Sequence, residues 1–154
     1  LDAAGIAWNI VPGITAAAAA AASSGLSLTK RGRNASVRFL TGHDTQGFAE
    51  HDWRDLARPG AGAAIYMGVK AAGFLRGRLL AHGADADTPV TAVDNASRPG
   101  QKTIVTTIHA LPDALDAAGF GDVVLMSNVA ELPYVDPIAM IERAVKNLSN
   151  MLVQ

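Results

Sequence analysis

Short apolar runs alternate with longer stretches of helical spacing along this chain, and that alternation limits it to a sheet covered by helices. Residues 36–41 and 89–93 have the length of strands and end at glycine or polar turn residues. Residues 69–82 instead repeat apolar side chains at helical spacing, and Gly83 follows as a stop. The pattern predicts an α/β domain in which a mixed, mainly parallel sheet of about five to six strands is flanked by helices.

Local signals place the remaining elements. Residues 7–11 have the composition of a strand, and Thr15 then stands where a helix N-cap belongs. The seven alanines at 16–22 are strong helix formers. Residues 89–93 and 102–107 have only a short connection, which favours an antiparallel pair. The other predicted elements are strands at 63–67 and 122–126 and helices at 53–58, 110–118 and 136–152.

The composition excludes several classes of function. The 154 residues include 13 lysines and arginines and 14 aspartates and glutamates, a balance without the basic field that non-specific nucleic-acid binding needs. The absence of cysteine excludes disulfides, thiol catalysis and Fe–S clusters. The four histidines fall at none of the close metal-ligand spacings, so no metal site is predicted. Apolar runs are much shorter than the roughly 20 residues that span a bilayer, so we expect no membrane association and a cytoplasmic location.

Three loops at the ends of predicted strands carry glycines and small residues. They are VPGITA at 11–16, YMG at 66–68 and VDNASRP at 93–99. Ligands of open α/β sheets bind where the carboxyl ends of strands meet, and a methionine there can pack softly on a flat or sulfur-bearing ligand. Each loop also has an ordinary structural explanation, since Thr15 can be a plain helix cap, Tyr66-Met67 the end of a buried strand and residues 95–100 a long turn. The loops together favour a ligand site at this edge of the sheet.

The order of six motifs resembles the tetrapyrrole methylase superfamily. The motifs are VPGITA, SVRFLTGH, DWRDLA, IYMG, TPVTAVDNASRPGQ and a helix that begins at HALPDAL. Within that superfamily they are most similar to the uroporphyrinogen-III C-methyltransferase family, over about residues 5–129. The resemblance implies transfer of methyl groups from S-adenosylmethionine (SAM) to uroporphyrinogen III, giving precorrin-2 for sirohaem and cobalamin and leaving S-adenosylhomocysteine. It also implies a homodimer whose cofactor lies in a cleft between two α/β domains.

The same resemblance assigns site residues. The cofactor contacts of the family fall on four positions: Thr15, Ala16, Met67 and Ala96. Many members carry glycine at the last of these positions, where a backbone contact would tolerate the additional methyl group. Four cations are candidates for attracting the carboxylates of the tetrapyrrole substrate: Lys30, Arg31, Arg33 and Arg98. For the first three, a solvated turn is the alternative interpretation.

Two loops typical of the family's first domain, Gly-x-Gly-Pro-Gly-Asp and Gly-Gly-Asp-Pro, do not occur in this sequence. The acid/base candidates of the family lie in that domain, so no catalytic residue is predicted here. The chain resembles the C-terminal domain over residues 1–130, expected to be inactive alone, followed by an extension at 131–154 with an amphipathic helix. Two alternatives remain open: a precorrin methylase of the cobalamin pathway, and a truncated, non-catalytic module for SAM binding or dimerisation.

Overall fold

Four α-helices and nine strands occupy the part of the chain that this computed structural model describes, residues 1–121, 123–127 and 130–131. The helices are α1 (Ala16–Ser23), α2 (Trp53–Leu56), α3 (Gly68–Ala81) and α4 (Leu111–Ala118). The strands are β1 (Leu26–Ser27), β2 (Val37–Thr41), β3 (His43–Asp44), β4 (Gly47–Phe48), β5 (Gly62–Tyr66), β6 (Pro89–Asp94), β7 (Lys102–Thr107), β8 (Val123–Ser127) and β9 (Ala130–Glu131).

Five strands form one mixed sheet in the order β2-β5-β8-β6-β7. The predicted mixed sheet flanked by helices is confirmed, and so is the antiparallel pairing of β6 with β7, where Pro89 lies opposite Thr107. The expectation of a mainly parallel sheet is wrong, because three of the four described strand pairs in this sheet are antiparallel. Among the described strands, β2 and β5 form the only parallel pair, because β8 inserts between β5 and β6 in the opposite direction. Strands β2, β5 and β6 still share one direction, so their carboxyl ends lie at the same edge.

Helices cover both faces of this sheet. On β8, the neighbouring side chains of Leu125 and Met126 are buried on opposite faces, as the two-residue period of a strand requires. Leu125 belongs to the larger core cluster with residues of α2, α3 and α4, whereas Met126 packs with α1. Burial on both faces explains why the central strands are continuously apolar in sequence.

The strand predicted at residues 7–11 is wrong. Residues 6–15 contain no helix or strand, and they pair with none of the described strands. The side chains of Trp8, Ile10 and Val11 are 51%, 74% and 80% exposed. Their composition is typical of a strand, but a strand also needs a neighbour to accept and donate its backbone hydrogen bonds.

Smaller differences concern the loops and the chain end. The helix predicted at 53–58 is the shorter α2, begun by Asp52, whose carboxylate accepts a hydrogen bond from the Asp55 amide at 3.0 Å. The helix predicted at 136–152 and nearly all of the predicted extension at 131–154 lie outside the described residues. Among the described helices, none has the length and apolar character needed to cross a bilayer.

An ion pair connects Glu50, in the loop before α2, with Arg78 of α3. Glu50 accepts hydrogen bonds from Arg78 Nη2 at 2.7 Å and from Trp53 Nε1 at 2.6 Å. The Arg78 guanidinium also lies 5.7 Å from the centroid of the Trp53 ring. The hydrogen bond from Arg78, followed by that from Trp53, lowers the pKa of Glu50.

This lowered pKa predicts a pH-dependent contribution to stability. The carboxylate stabilises the folded state above the unfolded pKa of a glutamate, and the contribution is lost as the pH falls through the lower folded pKa. We therefore expect the Tm difference between the natural chain and Glu50→Gln to shrink between about pH 6 and about pH 3. The difference should be small, because exposed ion pairs contribute little. Thermal unfolding followed by circular dichroism measures it, and a Tm difference that is constant over this range contradicts the prediction.

Candidate functional site

A cavity of about 570 Å³ opens at the edge of the sheet where β5 and β6 end. Three separate segments line it: the beginning of α1, Tyr66 at the end of β5, and the loop after β6. Val123 and Val124, at the start of β8, complete the lining. The location follows from the topology, since β5 and β6 run in the same direction and end side by side around β8.

Tyr66 joins α1 to the sheet. Its hydroxyl forms a hydrogen bond with Thr15 Oγ1, and its oxygen accepts a hydrogen bond from the Ala17 amide at 3.3 Å. Thr15 is the N-cap residue as predicted, yet among the described contacts its side chain accepts no amide hydrogen bond from the helix. The hydroxyl oxygen of Tyr66, at the end of β5, accepts the Ala17 amide hydrogen bond instead. Sequence reasoning placed Tyr66 in the YMG loop but assigned it no contact.

The loop between β6 and β7 is an ordered turn. Asn95 and Ser97 adopt left-handed backbone conformations, with φ of 54° and 62°. The Asn95 side chain donates to the Pro99 carbonyl at 2.9 Å, and the Ser97 amide donates to the Gln101 side chain at 2.7 Å. The Ser97 hydroxyl donates to the Ala19 carbonyl of α1 at 3.4 Å. These bonds hold the backbone around Ala96 at the cavity and against the helix.

Met67 follows Tyr66 at the point where β5 turns into α3. Its backbone is left-handed, with φ of 54° and ψ of 38°, and its side chain is 49% exposed. Gly42, the residue after β2, lies close to this turn, and its amide donates a hydrogen bond to the Tyr66 carbonyl at 2.7 Å. A Cβ atom on Gly42 would lie 2.7 Å from the Met67 carbonyl oxygen and 3.0 Å from the Ala71 Cβ. Only glycine fits there without a shift of the backbone.

Gly42→Ala is therefore expected to lower the free energy of unfolding by about 1–3 kcal/mol, the usual cost of overpacking. Gly73→Ala on α3 is the matched control, since the added methyl group would meet nothing within 4 Å. Alanine there should stabilise the helix by about 0.5–1 kcal/mol. Urea unfolding of both variants measures the two effects, and a Gly42→Ala midpoint at or above that of the natural chain contradicts the close approach.

The structure brings some predicted site residues together and leaves others apart. Ala16, Ala96 and Arg98 line the cavity, and Thr15 adjoins it through Tyr66. Met67 borders the same strand end but is not one of the described lining residues. The assignment of cofactor contacts to Thr15, Ala16, Met67 and Ala96 stays a prediction.

The basic turn lies apart from the cavity lining. Lys30, Arg31 and Arg33 are exposed, and none is among the described lining residues. The turn is organised by Asn34, which is 3% exposed and accepts a hydrogen bond from the Lys30 amide at 2.9 Å. Its side-chain amide also donates to the Leu28 carbonyl at 2.7 Å. These bonds account for the shape of the turn, while its contact with an anionic substrate stays a prediction.

The lining of the cavity suits a ligand with apolar and polar parts. Alanine and valine side chains cover much of it, and Asp94 and Arg98 add one carboxylate and one guanidinium. Exposed backbone groups of the β6–β7 loop can read the polar edges of a ligand. Among the described residues, no cluster of three histidine, aspartate or glutamate side chains is placed to hold a metal ion. This mixture of apolar surface and polar groups is typical of sites that bind small organic molecules.

Comparison with known proteins shows the family. Residues 1–112, most of the 154, match the family model described as "Tetrapyrrole (Corrin/Porphyrin) Methylases". The chain belongs to this family. The resemblance seen in the sequence motifs is thereby confirmed for the tetrapyrrole methylases as a whole.

Curated relatives of this tetrapyrrole methylase are much longer proteins. The siroheme synthase of Chromobacterium violaceum is 39% identical over 130 residues, which cover 83% of this chain and 28% of the relative. The siroheme synthase of Azotobacter vinelandii is 42% identical over 112 residues, which cover 73% of this chain and 24% of the relative. The chain thus spans only about a quarter of the length of these relatives.

Solved structures share the fold. A cobalt precorrin-4 methyltransferase aligns with a TM-score of 0.72 at 25% identity, over 82% of this chain and 54% of that one. The uroporphyrin-III C-methyltransferase of Thermus thermophilus, complexed with S-adenosylhomocysteine, aligns with a TM-score of 0.61 at 26% identity, over 80% and 54%. The mixed sheet with flanking helices is therefore the fold of the tetrapyrrole methylases.

Proposed function

We propose that this tetrapyrrole methylase chain forms one wall of a SAM site and serves the C-methylation of uroporphyrinogen III to precorrin-2. The observation that carries the proposal is the convergence of α1, the end of β5 and the β6–β7 loop on one cavity. The Thermus thermophilus neighbour complexed with S-adenosylhomocysteine supports the choice of ligand. The siroheme synthases among the relatives support the choice of pathway.

The chemistry asks the chain to position and shield its ligands. The sulfonium of SAM supplies the methyl group, and an electron-rich pyrrole carbon attacks it without an activated side-chain nucleophile. The protein therefore has to align donor and acceptor and to exclude water. Ala16 and Ala96 allow a flat ligand to approach the backbone, and Met67 adds soft dispersion contacts. Arg98 at the cavity, with Lys30, Arg31 and Arg33 further away, would attract substrate carboxylates.

The proposal includes a second α/β domain that faces the cavity and a homodimeric assembly. This chain would supply the C-terminal half of the cleft, consistent with the 54% of the Thermus thermophilus chain that it covers. The exposed apolar side chains of Ile10, Val11 and Ile14 offer a surface for that domain, since contiguous exposed apolar residues often mark an interface.

Calorimetry with SAM and S-adenosylhomocysteine tests the proposal directly. The chain is compared with a version joined to the N-terminal methylase domain of a siroheme synthase relative. We expect both forms to bind S-adenosylhomocysteine, the joined form more tightly, and only the joined form to methylate uroporphyrinogen III. Adenosine triphosphate is the control ligand. Absence of S-adenosylhomocysteine binding in both forms would overturn the proposal.

A precorrin methylase is the second candidate. It is favoured by the TM-score of 0.72 with the cobalt precorrin-4 methyltransferase, which exceeds that of the Thermus thermophilus enzyme. Mass spectrometry of the joined form's products separates the two, because uroporphyrinogen III and a cobalt precorrin give different methylated masses. Binding without turnover on either substrate would instead identify a non-catalytic module.

A further inference from the structure

The amino end of α1 is capped in an unusual way. A threonine N-cap normally accepts a hydrogen bond on its own oxygen from the second or third amide of the helix. Here the second amide, that of Ala17, donates to the Tyr66 hydroxyl at 3.3 Å, and within the described contacts Thr15 Oγ1 receives no helix amide. Thr15 Oγ1 therefore does not serve as the acceptor that caps the helix.

The geometry allows either hydroxyl to be the donor of the Tyr66–Thr15 contact, and relative donor strength favours Tyr66. The Tyr66 oxygen accepts from the Ala17 amide, and the Tyr66 hydroxyl is also hydrogen-bonded to Thr15 Oγ1. A phenolic hydroxyl carries one hydrogen and is a stronger donor than an aliphatic hydroxyl. With Tyr66 as the donor, Thr15 keeps its own hydrogen for another acceptor.

The surroundings place the Thr15 hydroxyl next to the cavity. Tyr66 is half-buried, lines the cavity and packs against the core cluster under α1. Thr15 is exposed at the same place. Tyr66 thus holds the exposed Thr15 hydroxyl next to the cavity lining and also accepts from the Ala17 amide, so that the Thr15 hydroxyl can act as a donor to a ligand.

We infer that Tyr66 is a positioning residue of the cofactor site: its hydroxyl orients Thr15 as a hydrogen-bond donor and fixes the start of α1 at the cavity. The inference rests on the proposed function, since the acceptor is an atom of S-adenosylhomocysteine or of SAM. Tyr66 itself acts through Thr15. Removal of its hydroxyl should therefore weaken binding by the same route as removal of the Thr15 hydroxyl.

A double-mutant cycle on the joined form tests this coupling. We expect Tyr66→Phe and Thr15→Val each to raise the Kd of S-adenosylhomocysteine about tenfold, and the double variant to raise it little further. Thr15→Ser retains the hydroxyl and should bind within about twofold of the natural sequence. Thr106→Val, on strand β7 and outside the described cavity lining, is the matched control and should leave the Kd unchanged. Circular dichroism confirms that each variant is folded, so a stability effect is separated from a binding effect.

The outcomes distinguish the inference from the proposed function. If the natural sequence does not bind S-adenosylhomocysteine in either form, both fail. If it binds and Tyr66→Phe binds equally well, only the positioning role fails. Additive effects of the two substitutions also overturn it, because they would show that the two hydroxyls act independently. A purely structural role for Tyr66 would lower the Tm without changing the Kd of the folded protein.

Discussion

Leu125→Ala should lower the free energy of unfolding by about 2–5 kcal/mol, the range for a buried leucine whose surroundings relax only partly. Leu125 is 2% exposed on the central strand β8. It lines a second cavity, of about 390 Å³, between the sheet and α2, α3 and α4, so the substitution enlarges existing empty space. Val105→Ala, at a side chain that is 73% exposed on β7, should change stability by less than about 0.5 kcal/mol. Urea unfolding of the two variants provides the comparison.

The same leucine also explains why residue 68 is glycine. A Cβ atom on Gly68 would lie 2.4 Å from Leu125 Cδ1 and 2.6 Å from its Cγ. Gly68→Ala should therefore be costly in the natural sequence and much less costly in the Leu125→Ala background, because the clashing atoms are then absent. Equal costs in both backgrounds would contradict this packing, as would a Leu125→Ala variant as stable as the natural chain.

Ala96→Trp should weaken S-adenosylhomocysteine binding at least tenfold, a loss of about 1.4 kcal/mol of binding free energy or more. Ala96 lies on the loop wall of the 570 Å³ cavity, and the hydrogen bonds of Asn95 and Ser97 hold its backbone in place. An indole would occupy space that the proposed ligand needs. Calorimetry on the joined form measures the effect.

Val105→Trp is the control for that substitution, since it adds the same side chain on β7 away from the cavity lining. It should leave the affinity unchanged. If a folded Ala96→Trp variant binds as tightly as the natural sequence, the ligand does not use this cavity wall.

Much of the fold could be predicted from the sequence because local signals agree with the tertiary structure. Thr15 and the alanines after it mark α1, and Asp52 marks α2. The strand expected at residues 7–11 is wrong because there the local signal and the tertiary structure disagree. Apolar composition describes a side-chain surface, whereas a strand also requires a partner, and a local sequence window carries no information about the partner. The insertion of β8 between β5 and β6 is a long-range choice of the same kind.

The candidate site was predictable in outline and not in its contacts. The three loops were identified because each ends a strand, and the shared direction of β5 and β6 brings two of those ends together. Tyr66 was missed because its hydroxyl finds its partners 49 and 51 residues away in sequence. The basic turn was proposed on charge alone, and the sequence does not reveal that the turn lies outside the described cavity lining or that Asn34 gives it its shape.

Titrating the 15N-labelled chain with S-adenosylhomocysteine, and following its amide resonances by NMR, tests most directly whether three distant segments form one ligand site. We predict that the amides of Ala16, Met67 and Ala96 shift together and give a single dissociation constant. Resonances of the 30–34 turn should stay in place during the titration. Unchanged resonances at all three amides, or shifts confined to residues around the 390 Å³ cavity on the other face of the sheet, would contradict the site.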